Sequence, residues 1–85
     1  MNVENVKKLS NESIESIGDK IGIDWEDAMF SIDSLRQGII VEMEHGTRDR
    51  KTNVTDDNVY KTAKIAWAHL NENTDYYSIL KRVGL

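Results

Sequence analysis

The 85-residue chain contains no cysteine and no proline. Without cysteine, neither a disulfide nor a thiolate metal site can supplement the core, and the sequence suits a reducing compartment. Without proline, and with only five glycines, little in the chain interrupts helices. No run approaches the roughly 18 apolar residues of a membrane span. The opening stretch MNVENVKKLSNES lacks the apolar centre of a secretory signal, so a cytoplasmic location is expected. Bases are also in deficit, 11 against 15 acids for a net charge of −4. That disfavours general nucleic-acid binding, because phosphate backbones require a basic face. The local cluster Arg48, Asp49, Arg50 and Lys51 reads as a solvated connection. Neither a glycine-rich phosphate loop nor a dinucleotide fingerprint is present.

What remains is a modest apolar fraction arranged at helical spacing. Hydrophobic residues make up 39% and charged residues 31%, a folded rather than a disordered composition. A single domain of this size buries only about 60–65% of its unfolded surface, so its margin of stability is small. Ser10 has the character of an N-cap, with Leu9 and Ile14 placed as a hydrophobic staple. Ile14, Ile17 and Ile21 follow at helical spacing, and Gly22 is a natural stop. The predicted helices are 10–21, 32–45, 56–71 and 74–83, with a short turn at 25–30 begun by Asp24. Residues 1–9 read as an N-terminal arm or early turn, and 10–85 as the helical domain. Ser31 is the expected cap of the second helix and Gly46 its stop. Thr55 is the expected cap of the third, stapled by Val54 and Val59, with Asp56 and Asp57 in its first turn. The fold class is all-α, a small bundle of about four helices. The six aromatic residues are assigned mostly to the core, and adjacent Tyr76 and Tyr77 cannot both face it squarely.

The stretch VEMEHG, residues 41–46, carries the sequence's most unusual feature. On a helical wheel Ile32, Leu35, Ile39 and Met43 form one stripe. Glu42 lies at the edge of that stripe, with Gly38 and His45 on the same flank, and Glu44 points away. Gly38 costs about 1 kcal/mol against alanine inside a helix, which is tolerable where another helix or a ring approaches closely. The third helix offers a main stripe of Val59, Ala63, Ala66, Trp67 and Leu70, and a mixed one with Thr62, Ile65, His69 and Glu72. The only two histidines thus sit in Glu42-x-x-His45 and His69-x-x-Glu72, followed by Asp75, Tyr76 and Tyr77. Two readings compete. Glu42, His45, His69 and Glu72 could hold one Zn, Fe or Mn ion, since imidazoles and carboxylates on facing helices are ligands for such metals. Alternatively Glu42, His45, His69, Glu72, Asp75 and Tyr77 form a hydrogen-bonded polar network without a cofactor. A di-iron centre needs two forward Glu-x-x-His units, and the chain has one. No nucleophile partner or oxyanion site accompanies the histidines, so catalysis is not expected.

Between Arg36 and Leu80 the chain resembles an uncharacterised domain-of-unknown-function family of short bacterial and phage proteins. The resemblance rests on Arg36, Gly38, VEMEHG at 41–46, NVT at 53–55 read with Asp57, KIA at 64–66, AHL at 68–70, Glu72, DYY at 75–77 and Leu80. In this chain the second of those motifs stands as Asn53, Val54, Thr55 and Asp57. The resemblance covers about residues 32–80 and leaves the first 30 outside it. It implies an ordered helical core and no particular activity. The expected function is therefore macromolecular binding to a protein partner, host- or defence-directed if the chain is phage-encoded. Its acidic residues, Glu26 and Asp27 with Asp56 and Asp57, would meet a basic surface. Ile40 and Val41 flank the second helix on opposite sides and raise a homodimer as a further expectation.

Overall fold

The computed structural model describes residues 2–48 and 58–84 and places five helices in them. They are α1 (Val3–Lys8), α2 (Asn11–Ile21), α3 (Ile32–Arg48), α4 (Val59–Glu72) and α5 (Tyr76–Arg82). No strand occurs among the described residues, and the all-α class stands. Of the connection read at 48–51, Arg48 instead ends α3, and residues 49–51, with the predicted features at Val54, Thr55, Asp56 and Asp57, lie outside the described residues.

Local chemistry explains most of the boundaries. Ser10 caps α2 as expected, its Oγ accepting the Ser13 N–H at 3.1 Å. At the other end Gly22 adopts φ 107°, a left-handed conformation that glycine takes at little cost. The Gly22 and Ile23 N–H groups both donate to the Gly18 carbonyl, and Ile23 is buried over the end of the helix. Ser31 caps α3 through a 3.0 Å bond from the Ser34 N–H. Asp24 opens the short turn by accepting the Glu26 N–H.

Four boundaries differ from the sequence reading. Residues 3–8, read as an arm or early turn, form α1, capped by Asn2 and anchored by fully buried Val6. Helix α3 runs through Gly46 to Arg48 rather than stopping at 45. Its three buried anchors, Leu35, Ile39 and Met43, outweigh the roughly 1 kcal/mol cost of one glycine near the end. Helix α4 begins at Val59, and Asn58 caps it by accepting N–H bonds from Tyr60 and Lys61. Helix α5 begins at Tyr76, because the Asn73 side chain takes the Asp75 N–H and holds a turn there. Replacing Asn58 with alanine orphans two N–H groups at once. We expect a loss of about 1 kcal/mol in urea unfolding, with Asn58→Asp retaining most of the stability.

Helix α3 is the hub. It packs most extensively on α4 and also touches α1, α2 and α5. The core combines Ile14 and Ile17 of α2 with Leu35, Ile39 and Met43 of α3 and Ala63, Ala66 and Leu70 of α4. Thr62 is also fully buried, its hydroxyl satisfied by donating to the Asn58 carbonyl at 2.9 Å. Ile40 and Val41 are half-buried against the same core. Arg36 ties the hub to the α1–α2 junction, donating to the Leu9 carbonyl and to Asn11 Oδ1.

Candidate functional site

Glu42 is drawn inward as its position on the wheel suggested, and its side chain keeps 13% of its exposure. The group that satisfies it comes from α5. The Tyr77 hydroxyl donates to Glu42 Oε1 at 3.0 Å, and His69 Nε2 of α4 lies 3.6 Å from the same oxygen. His69 stacks flat on Tyr76, centroids 4.4 Å apart and planes within 4°, and the two tyrosine rings meet edge to face. Tyr77 is buried while Tyr76 is half-buried, which resolves the adjacent pair as the sequence required. The Tyr77 ring reaches Glu42 only because Gly38 has no side chain: a Cβ there would stand 2.6 Å from Tyr77 Cε2 and 2.8 Å from Ala66 Cβ.

The other nominated residues fall elsewhere. His45, Glu72 and Asp75 are exposed. Two of the four metal candidates, Glu42 and His69, are therefore brought together, and the other two lie at the surface. Among the described residues no group of three or more histidine, cysteine or acidic side chains is placed to hold an ion. What Glu42, His69 and Tyr77 do form is a polar clasp that fastens α5 to α3 and α4.

Burial, then the negative charge of Glu42, raises the Tyr77 hydroxyl above its ordinary pKa of 10.0. The folded state thus keeps this proton at pH values where the unfolded chain releases it. The tyrosine contributes fully to stability below about pH 10, and that contribution drains away as the pH rises further. We expect stability to fall above pH 10 by up to about 1.4 kcal/mol per pH unit from this group alone. Tyr77→Phe should cost about 1–2 kcal/mol at neutral pH through the lost charge-assisted bond, and its stability should decline less steeply between pH 10 and 11. Urea titrations of both proteins across that range check the pair of effects.

Residues 14–84 match a family model described as Protein of unknown function (DUF5661). The chain belongs to this family. The match begins at Ile14, so DUF5661 includes α2 from its second turn and the connection to α3, which the motif resemblance over 32–80 had left out. No curated protein and no solved structure matches the chain.

That added segment builds a second feature that sequence reading did not assemble. The α2–α3 connection and α4 enclose an open cleft of about 330 Å³. Ile23 and Leu70 floor it, Phe30 and Trp67 wall it, and Asp24 and Asp27 stand among its lining groups. Trp67 had been assigned to the core with the other aromatics, and it is half-buried. Tyr60 also leaves the core: it is exposed, with its hydroxyl accepting from Lys20 Nζ at 3.3 Å and the same ammonium 5.5 Å from its ring centre. The signal for the cleft was present in DWEDAMF, where three acids and three large apolar side chains share a seven-residue connection.

Proposed function

We propose that the protein acts by binding another protein, as a compact helical module without chemistry of its own. One observation carries this reading. In the α2–α3 connection Met29 is 82% exposed, with Asp24, Glu26 and Asp27 all exposed around it. An unbranched apolar side chain projected into water among acids is suited to a partner that is basic around an apolar contact. If the chain is phage-encoded and cytoplasmic, a host or defence protein with a basic, nucleic-acid-binding surface fits this chemistry.

The test uses the whole chain as bait at low and high salt, followed by reconstitution with the purified candidate. Direct binding at about 50 mM salt that weakens by 0.5 M, where exposed charge pairs are screened, supports the reading. Met29→Ser should reduce binding while leaving the melting temperature unchanged, because the side chain contributes little burial to the fold. Recovery of no direct partner at low salt counts against it.

A further inference from the structure

We infer that the cleft between the α2–α3 connection and α4 seats a lysine or arginine side chain projected by the partner protein. The inference rests on the protein-binding reading and names its site and the chemistry of its occupant.

Three features of the cleft converge on a cation with an apolar stem. The first is charge. Asp24 and Asp27 line the cleft and both are exposed, with one Asp24 oxygen accepting the Glu26 N–H. No lysine or arginine is among the lining residues. Lys20, the base in the last turn of α2, is turned instead to the Tyr60 hydroxyl. The second is the backbone field. Helix α2 ends at Ile21 and α4 at Glu72, and Gly22, Asn71 and Thr74 bring both C-terminal ends to the cleft. Each helix C-terminus carries roughly half a negative charge in its carbonyl groups, which favours a cation nearby. The third is the wall. Phe30 and Trp67 are half-buried, leaving ring surface open to the cleft. A lysine or arginine stem packs along such surface while its head stays polar, and a guanidinium also stacks on an indole face. At about 330 Å³ the cleft is at the small end of ligand sites, enough for a long side chain and its flanking backbone rather than a folded domain.

The glycine at the cleft's edge supports the same geometry. A Cβ at Gly22 would approach the Trp67 ring to 3.8 Å, so the indole is seated directly against the end of α2. The ring and the end of α2 therefore border the cleft side by side.

The probe is the pentapeptide acetyl-Ala-Arg-Leu-Arg-Ala-amide, titrated into the ¹⁵N-labelled full chain and followed by NMR. Its control replaces both arginines by citrulline, which keeps the shape and removes the charge. We expect the Trp67 indole N–H and the amides of Ile23, Asp27 and Leu70 to shift with the arginine peptide. The Trp25 indole, which donates to the Glu15 carbonyl at 3.0 Å, serves as the internal reference and should stay fixed. Binding should weaken by about tenfold or more with the citrulline peptide and with the double variant Asp24→Asn, Asp27→Asn. Asparagine at 24 can still accept the Glu26 N–H, so the turn is retained. Equal responses to the two peptides, shifts spread over other acidic surfaces, or no shift by about 1 mM peptide would each overturn the proposal. A response to spermidine as strong as that to the arginine peptide would also overturn it, by making the site one for small polyamines. This titration needs no natural partner. Its failure removes the cleft as the site and leaves protein binding standing, whereas failure of the bait experiment removes protein binding itself.

Discussion

Gly38→Ala should destabilise the protein, although alanine is the better helix former by about 1 kcal/mol. The added Cβ meets Tyr77 Cε2 at 2.6 Å, Ala66 Cβ at 2.8 Å and Tyr77 Cζ at 3.1 Å. Neither neighbour can step aside cheaply. Ala66 is fully buried on α4, and Tyr77 is 3% exposed with its hydroxyl held by Glu42. Overpacking of a tight core costs about 1–3 kcal/mol. Two approaches below 3 Å place alanine in the upper part of that range, about 2–3 kcal/mol, and subtracting the gain of about 1 kcal/mol in propensity leaves a net loss of about 1–2 kcal/mol, with about 3 kcal/mol for the bulkier Gly38→Val. Urea unfolding measures both. A double-mutant cycle then identifies the cause, because the penalty of Gly38→Ala should shrink in a Tyr77→Ala background where the ring is gone. A wild-type-like or more stable Gly38→Ala protein would show that α5 does not dock against this position.

Gly38 also marks how far local reasoning reaches in this chain. The cost of a mid-helix glycine made a close approach by a ring or helix the natural expectation, and both Tyr77 and Ala66 supply one. Gly18 carries a similar contact with Trp25, at 2.6 Å from a virtual Cβ, yet nothing in its neighbourhood announced the partner. Caps were legible wherever the helix began right after a serine, at Ser10 and Ser31. They were not legible where two capping types competed within four residues, and there Asn58 takes the first turn.

The candidate site divides along the same line. Glu42 sits seven residues after Leu35, about 20° from it on the wheel, so its inward position followed from periodicity. The i,i+3 step to His45 moves 60° around the helix, and the step from His69 to Glu72 does the same. One member of each pair is carried into solvent, although both pairs looked equivalent as text. The true partner of Glu42 is 35 residues away on α5, a separation that no helical period encodes. The cleft was hidden for a related reason. Its walls come from an irregular connection and from α4, and irregular backbone places side chains by turn geometry rather than by a repeating angle.

The largest effect is expected from Leu35→Ala. Leu35 is fully buried on α3, the helix that touches all four others. Truncating a buried leucine removes its transfer free energy and leaves a cavity, about 2–5 kcal/mol together. A chain of 85 residues has roughly 4–13 kcal/mol of total stability at about 0.05–0.15 kcal/mol per residue. The loss therefore approaches the whole margin if the protein lies at the lower end of that range. We expect Leu35→Ala to show a large drop in urea midpoint, or partial unfolding in buffer, visible as lost helical circular dichroism. Leu35→Met, which conserves volume, should cost less than about 1.5 kcal/mol. Met29→Ser removes a side chain of comparable size from an 82% exposed position and should leave the midpoint almost unmoved. If Leu35→Ala and Met29→Ser shift the midpoint equally, α3 is not the centre of the core. If they separate as expected, stability resides in the α3 stripe while the α2–α3 connection can be altered for binding with little loss of fold.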